Sequence, residues 1–414
     1  MQEFYYEGAT SDISSQPLQY VTEVLEELGF NNSKVLVEVV GDTADNFSAN
    51  VKRIVVVDDE RKPFKMIAKF APTQAHLRLG DITQLFRNEI IMYTEVLPLF
   101  KELEENANVP ETQRLKFAKC YGGCKEPEHE VILLEDLNLS GFSILDKTKS
   151  LSNECVITIL KNIAKLHSLS HALRNTDPKK FDEFKNTLFD IWQNLEIKRL
   201  CYLNFVKDQA MALLTDGKQK DTFKRVIISD INTATAEVIK KYKDSHFTVI
   251  LQGDLWTNNI MFKFDSENLV ECIMIDYQVA RVNIPPADLM YLIFSCTDHS
   301  TRLKYFNTWI DCYHTELAKA LQYYGLQISS IYPKDQLYLD LKNYSKVAFD
   351  KSLLLASVTS LSSDEGVKVK EFLEQSDNHS QTALIDEFRN SEYFGKFKEK
   401  LEGLIDSFVQ FDLF

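Results

Sequence analysis

The chain predicts an α+β fold built as two unequal lobes, and three features of its 414 residues carry that reading. After an N-terminal helix, residues 35–137 alternate strand-like runs with one further long amphipathic helix. From residue 150 onward the apolar spacing becomes mostly helical. Within that helical part lies one β-rich island, 248–275, broken by polar turns. A boundary near residue 138 follows, between a small antiparallel-sheet lobe and a large, mostly helical lobe. The expected organisation is a helical extension over residues 1–34, an N-lobe over 35–137 and a C-lobe over 138–414.

The elements justify this in order. From Pro17 to Phe30, Leu18, Val21, Val24, Leu25 and Leu28 recur at helical spacing, with Gly29 as the stop. Residues 35–40, 50–57 and 64–70 read as strands, the last two separated by the turn-rich 58–63. A helix is expected from about Ile82 to Phe100, then strands at 117–121 and 130–134. Helices are expected again at 302–324, 336–361 and 380–408. No internal repeat or low-complexity tract interrupts the chain.

Composition narrows the function classes. Hydrophobic residues make up 44% and charged residues 26%, an ordinary globular balance. A formal net charge of −14 disfavours nucleic acid or an anionic membrane as partner. The 7 cysteines are scattered, as in a reduced, cytoplasmic protein. Cys120 and Cys124 lack the second pair that a tetrahedral zinc site requires. No apolar run approaches the roughly 20 residues that span a bilayer.

The most informative segment is Val249-Ile250-Leu251-Gln252-Gly253-Asp254-Leu255-Trp256-Thr257-Asn258-Asn259-Ile260-Met261-Phe262. A polar loop with Asp-x4-Asn spacing lies there between two apolar strands. Asp276 follows at the end of the next apolar run. Phosphoryl transfer needs a carboxylate to orient or deprotonate the attacking hydroxyl, and oxygen ligands to hold Mg²⁺ against ATP phosphates. Asp254 is thus the expected catalytic base, with Asn259 and Asp276 as metal ligands. On its own, such a loop is equally a turn that happens to contain Asp and Asn.

Upstream residues add weight. Lys69 lies inside an apolar strand, and Glu89 on the following helix is its expected partner in holding the nucleotide's phosphates. An edge-strand lysine with its ammonium reaching solvent is the plainer alternative. The apolar strand ending at Glu135-Asp136-Leu137 sits where a hinge would offer backbone groups of Glu135 and Leu137 to adenine. Strand lysine, helix glutamate, hinge, Asp-x4-Asn and metal aspartate occur in one chain in the order used by kinases. Asp276 is followed by Tyr277-Gln278, and Asp288 comes too soon after it to leave room for a protein kinase's activation segment.

Gln252 to Phe262, with Ile275-Asp276-Tyr277-Gln278 and Pro286-Ala287-Asp288-Leu289, resembles the ecdysteroid-kinase-like (CHK kinase-like) family, related to choline kinases and aminoglycoside phosphotransferases. The helix from Ala164 to Leu173, which carries His167 and His171, and the segment Phe86 to Pro98 resemble two further family signatures. The resemblance spans about residues 35–360. It implies a bilobal protein-kinase-like fold, ATP and Mg²⁺ as cofactors, and a hydroxylated small molecule as acceptor, an ecdysteroid or other lipophilic alcohol. It also implies that Asp288 supports the catalytic-loop backbone. Two departures stand out. The family's loop usually starts His-Gly-Asp, where this chain has Gln252, whose amide can hydrogen-bond in the histidine's place. The phosphate loop is glycine-poor, matching at Ala44-Asp45-Asn46-Phe47-Ser48, with Asn46 and Ser48 as candidate nucleotide contacts. The competing functions are a catalytically weak or inactive binding module and a kinase for a cationic, choline- or aminoglycoside-type acceptor. A monomer or weak oligomer is expected, with no nucleic-acid or membrane partner.

Overall fold

The computed structural model describes residues 4–40, 50–58, 61–72, 82–193, 197–374 and 392–414. The N-lobe holds a six-stranded sheet in the order β1-β2-β3-β4-β6-β5. Its strands are β1 (Tyr5–Gly8), β2 (Lys34–Val39), β3 (Asn50–Val57), β4 (Phe64–Phe70), β5 (Cys120–Cys124) and β6 (Val131–Glu135). All neighbours pair antiparallel except β1, which runs parallel to β2. A parallel pair needs a crossover, and helix α1 (Ser15–Glu27) supplies it. At four residues, β1 is too short for its alternation to be read from the sequence.

The two faces of the sheet bury different things, because successive side chains of a strand point to opposite sides. Val35, Val37, Ile54, Val56, Met66, Ala68, Phe70, Val131 and Leu133 form one core with Val21, Val24 and Leu25 of α1. Each aliphatic side chain fully buried there stabilises the lobe by about 1.5–3 kcal/mol. Val21, Val24 and Leu25 thus tie α1 into the N-lobe core. The last turn of α1 closes with paired bonds from Gly29 N–H to Glu26 O and from Phe30 N–H to Leu25 O. Ile132 and Leu134 point the other way, into the core that includes Ile90 and Ile91 of helix α2 (Ile82–Ile91).

The helix expected over 82–100 is longer and interrupted. It passes from α2 through a π-helical turn, Met92–Val96, into α3 (Leu97–Asn106). Pro98 has no N–H to offer the carbonyl four residues back, so the ladder shifts just before it. The strand expected at 117–121 is instead Cys120–Cys124. Its glycine pair reads as a turn but serves close packing. A Cβ on Gly122 would lie 2.8 Å from the Tyr20 hydroxyl, and one on Gly123 2.9 Å from Ile90.

The C-lobe is helical around two small antiparallel sheets. One joins β7 (Phe142–Ile144), β9 (Ile260–Asp265) and β10 (Asn268–Met274); the other joins β8 (Val249–Leu251) and β11 (Arg281–Asn283). The helices are α4 (Asn153–Thr176), α5 (Pro178–Thr187), α6 (Ile197–Leu213), α7 (Gly217–Val226), α8 (Ile231–Tyr242), α9 (Pro286–Cys296), α10 (His299–Gln322), α11 (Ile328–Ile331), α12 (Lys334–Val358), α13 (Ser363–Glu374) and α14 (Tyr393–Gln410). The first part of the helix expected at 380–408 falls outside the described residues. Nearly every residue of α9 is buried. A helix apolar on all sides belongs in the middle of a core, and α9 runs directly beneath the polar loop. Among the described residues no helix is long and apolar enough to cross a membrane. The architecture is the bilobal, kinase-like one: a small sheet lobe on a large helical lobe.

Candidate active site

Strand alternation places Lys69 opposite Met66, Ala68 and Phe70, on the sheet face that looks at α2. Its ammonium donates to Glu89 Oε1 at 2.7 Å and lies 3.3 Å from Asp276 Oδ1. Three residues far apart in sequence thus converge where the lobes meet. Burial lowers the Lys69 ammonium, but Asp276 and Glu89 outweigh it and the net shift is upward, so it stays charged. Burial raises Glu89, against the pull of Lys69.

Asp254 sits half-buried between β8 and β9. Its Oδ2 accepts from Asn259 Nδ2 at 2.8 Å, and its Oδ1 accepts from the Tyr291 hydroxyl at 2.7 Å. Burial pushes the carboxyl up to about 6, helped by the charge of Asp276 and opposed by those two hydrogen bonds. Asn259 Nδ2 also donates to Asp254 O at 2.9 Å, which ties the two ends of the Asp-x4-Asn loop together. With the amide nitrogen so used, Asn259 Oδ1 is the atom left for a metal.

The backbone of the loop hangs on α9. Asp288 is fully buried and accepts from Gln252 N–H at 3.0 Å and Gly253 N–H at 2.9 Å. His167 Nε2 is 3.3 Å from the same carboxylate, and His167 Nδ1 lies 2.8 Å from the Tyr313 hydroxyl. His167 is therefore scaffold and not half of a metal site. Gln252 does what an imidazole could do only in part. Its Nε2 donates to Ile275 O at 2.8 Å and Asp276 O at 2.9 Å, while its Oε1 accepts from Asp254 N–H at 2.7 Å. One amide thereby joins the loop to the backbone of Asp276. Gly253 has φ +91, and a Cβ there would come within 2.2 Å of Val279 O, so only glycine fits.

Asp276 adopts the left-handed conformation, φ 60 and ψ 69, uncommon for a residue with a side chain. Its Oδ1 is buried, close to Lys69, yet accepts no hydrogen bond. With the Lys69 ammonium as its ion-pair partner and no hydrogen bond accepted, this oxygen keeps lone pairs for a second cation. Mg²⁺ commonly takes one or two protein oxygens and completes its shell with phosphates and water. Asp276 and Asn259 are the residues that could supply such oxygens.

At the hinge, Asp136 is the anchored residue. Arg53 Nε donates to its Oδ2 at 2.6 Å, and Asn138 N–H to its Oδ1 at 3.2 Å. Glu135 N–H bonds Lys119 O, and its carboxylate accepts from Lys119 N–H and Ser140. Leu137 opens a short 3₁₀ turn. Asn46 and Ser48 lie outside the described residues.

Sequence reasoning missed four contributors. Tyr291 reads from the sequence as one more aromatic at helical spacing, yet it stands three residues after Asp288 and so on the same helix face. Arg281, fully buried, donates from Nη1 to Gly253 O at 3.2 Å and Val279 O at 3.0 Å, with Asp190 3.4 Å from its Nε. Lys351 lies buried behind it, hydrogen-bonded to the Tyr344 hydroxyl at 3.1 Å and 4.1 Å from the Trp192 ring centre. Burial pushes its ammonium well below the usual value, and the charge of Arg281 adds to this.

The fourth is Asn88, next to Glu89 and fully buried. Its Nδ2 donates to Phe189 O at 2.8 Å and to Gln278 O and Ala280 O at 3.1 Å; its Oδ1 accepts from Phe189 N–H at 2.9 Å. Asn88→Leu keeps the volume but strands that N–H and three carbonyls. The expected cost is about 2–4 kcal/mol, from roughly 1–3 kcal/mol for each buried group left unsatisfied, part of which relaxation recovers. Urea unfolding checks it, and a loss below about 1 kcal/mol would mean that the clamp is dispensable.

The profile of the ecdysteroid kinase-like family matches residues 43–326, more than half of the chain. A comparison with curated proteins finds no match. Among solved structures, the chain is similar to a microcompartment-associated aminopropanol kinase, 14% identical over 90% of this chain and 99% of that one, with a TM-score of 0.43. The choline kinase of Streptococcus pneumoniae is 13% identical, covering 95% of this chain and 100% of its own, with a TM-score of 0.40. The ethanolamine kinase of Plasmodium vivax is 12% identical, covering 87% of this chain and 83% of its own, with a TM-score of 0.40. By the matched segment, which includes both the Lys69–Glu89 pair and the loop from Gln252 to Asp276, the chain belongs to the ecdysteroid kinase-like family and has its small-molecule kinase-like fold.

Proposed function

We propose that the protein is an ATP- and Mg²⁺-dependent phosphotransferase acting on a hydroxyl of a small molecule, an ecdysteroid or other lipophilic alcohol. One observation carries the reading: Lys69 contacts both Glu89 and Asp276, in the same site as the hydrogen-bonded Asp254–Asn259 loop. In this reading the Lys69 ammonium, held by Glu89, faces the nucleotide phosphates. Asp276 and Asn259 hold the metal. Bound ATP would supply the γ-phosphoryl group and Mg²⁺ the positive charge that screens it. Asp254 takes the acceptor hydroxyl's proton as the oxygen becomes a nucleophile. The Tyr291 and Asn259 hydrogen bonds hold its carboxylate in place meanwhile. Backbone groups at Glu135 and Leu137 meet the adenine.

An inactive binding module is the rival, motivated by Gln252. The three hydrogen bonds of that side chain speak against it, since the loop is held in place without the histidine. Titration of ATP with and without Mg²⁺ tests the two readings. Tight binding that needs Mg²⁺ is expected. Asp276→Asn, which lowers the ligand's charge, should weaken it at least tenfold. Affinity indifferent to Mg²⁺ in the native protein would defeat the enzyme reading. Incubation of a metabolite extract with ATP, scored for mass gains of one phosphate, then identifies the acceptor.

A further inference from the structure

At the C-terminal end of α9 lies a cavity of about 630 Å³, within the range of small-molecule sites, and its wall residue Cys296 touches the catalytic loop at Leu255. Its position follows from α9. Tyr291, which bonds Asp254, is followed one turn later by Ser295 and Cys296, both in the cavity wall. One turn advances about 6 Å along a helix. The Cys296 thiol also contacts Leu255 O at 3.8 Å, the residue after Asp254.

The wall is cationic in a protein whose net charge is −14. Lys147, Lys149, Arg302, Lys396 and Lys400 line it, against Asp298 and Glu399. Lys149 and Lys396 have carboxylate partners in Asp146 and Glu392, outside the wall. Arg302 and Lys400 do not. Arg302 is 2% exposed, and its guanidinium donates only to neutral oxygens, those of Ser407, Thr297 and Gly403. Lys400 Nζ donates to Thr359 Oγ1 at 2.7 Å and Thr359 O at 3.1 Å. Asp298 Oδ1 caps α10, accepting from Thr301 N–H and Ser300, while its charge also acts on Arg302. Burial lowers Arg302 to about 9 and Lys400 to about 8, so both remain charged at neutral pH. Arg302 is buried and Lys400 half-buried, and among the described residues neither makes an ion pair, although the charges of Asp298 and Glu399 act on them from the same wall. In a cleft they concentrate a positive field on whatever enters it. The remaining wall is apolar at Phe294, Ala356 and Leu404.

We infer that this cavity receives the acceptor, and that the acceptor carries, besides its reacting hydroxyl, an oxyanion (phosphate, sulfate or carboxylate) that docks against Lys400 and Arg302. The inference rests on the phosphotransferase reading for the role of the cavity and names the substrate class within it. It separates this acceptor from choline- and aminoglycoside-type cations, which the wall would repel.

The test uses one hydroxylated steroid in four forms: the parent alcohol and its monosulfate, monophosphate and hemisuccinate. Binding to the full-length protein is measured by calorimetry, in the native chain and in Lys400→Met, without any need for turnover. At least one anionic form should bind ten or more times more tightly than the parent, and the three arms rank the anions. In Lys400→Met that ratio should fall towards one. Equal binding of all four forms, or a preference that Lys400→Met leaves intact, overturns the inference. If Lys400→Met is unstable, Lys400→Arg serves as control, since it keeps the charge and should keep the preference. Because binding is read directly, absence of ATP turnover would count against the phosphotransferase reading alone.

Discussion

Asp254→Asn should lower turnover by about 10²–10⁴-fold, the usual contribution of a positioned base, while ATP affinity is largely retained. The substitution preserves shape, and an amide oxygen can still accept from Tyr291 or Asn259, so the loop should stay folded. What it removes is the proton acceptor. Near-native turnover would refute the role given to Asp254. A pH profile supplies an independent check. The Asp254 carboxyl is raised from 3.8 to about 6, and only its ionised form can take a proton. Rate therefore falls as pH drops through that value, by about tenfold per unit below it, in kcat/KM of the free protein. An acid limb near pH 4 would place the base elsewhere.

Asp288→Ala is the second large effect, and it acts through folding. The carboxylate is fully buried and satisfies two consecutive backbone N–H groups and His167. Removing it strands those donors in a site closed to water. The expected loss is about 3–5 kcal/mol, typical of breaking a buried charged cluster. Turnover should fall with it, since Gln252 and Gly253 set the path of the chain into Asp254. Asp288→Asn keeps one acceptor oxygen and should cost less than half as much. Urea unfolding followed by Tyr fluorescence gives both values. A loss below about 1 kcal/mol in the alanine variant would show that the loop is held by other contacts.

The legible part of this protein was what period and order encode. The strand at 64–70 alternates cleanly, 50–57 is a near-continuous apolar run at its end, and the bounds of both coincide with β4 and β3. Lys69 stood out because a charge in an apolar run demands a partner, and it meets the expected Glu89; its contact with Asp276, read from the sequence only as a metal ligand, was not legible. Less was readable where a residue's purpose lies in tertiary contact. Asn88 looks like any polar position on an amphipathic helix, because its partners, Phe189, Gln278 and Ala280, are distant in the chain. Arg281 follows a strand-like pattern and gives no hint that it is buried. Tyr291 hid among aromatics at core spacing. The cationic cavity draws on segments around residues 147, 302 and 400, and no local window contains all three.

The four bonds of Asn88 also set how the two lobes can move. They fasten α2 to C-lobe backbone at Phe189 and at the segment 278–280. The helix thus travels as cargo of the large lobe, although chain order assigns it to the small one. Any rocking of the sheet must then be taken up between β4 and α2. The mechanical seam runs through the Lys69–Glu89 contact, and that ion pair becomes the gauge of how far the cleft stands open.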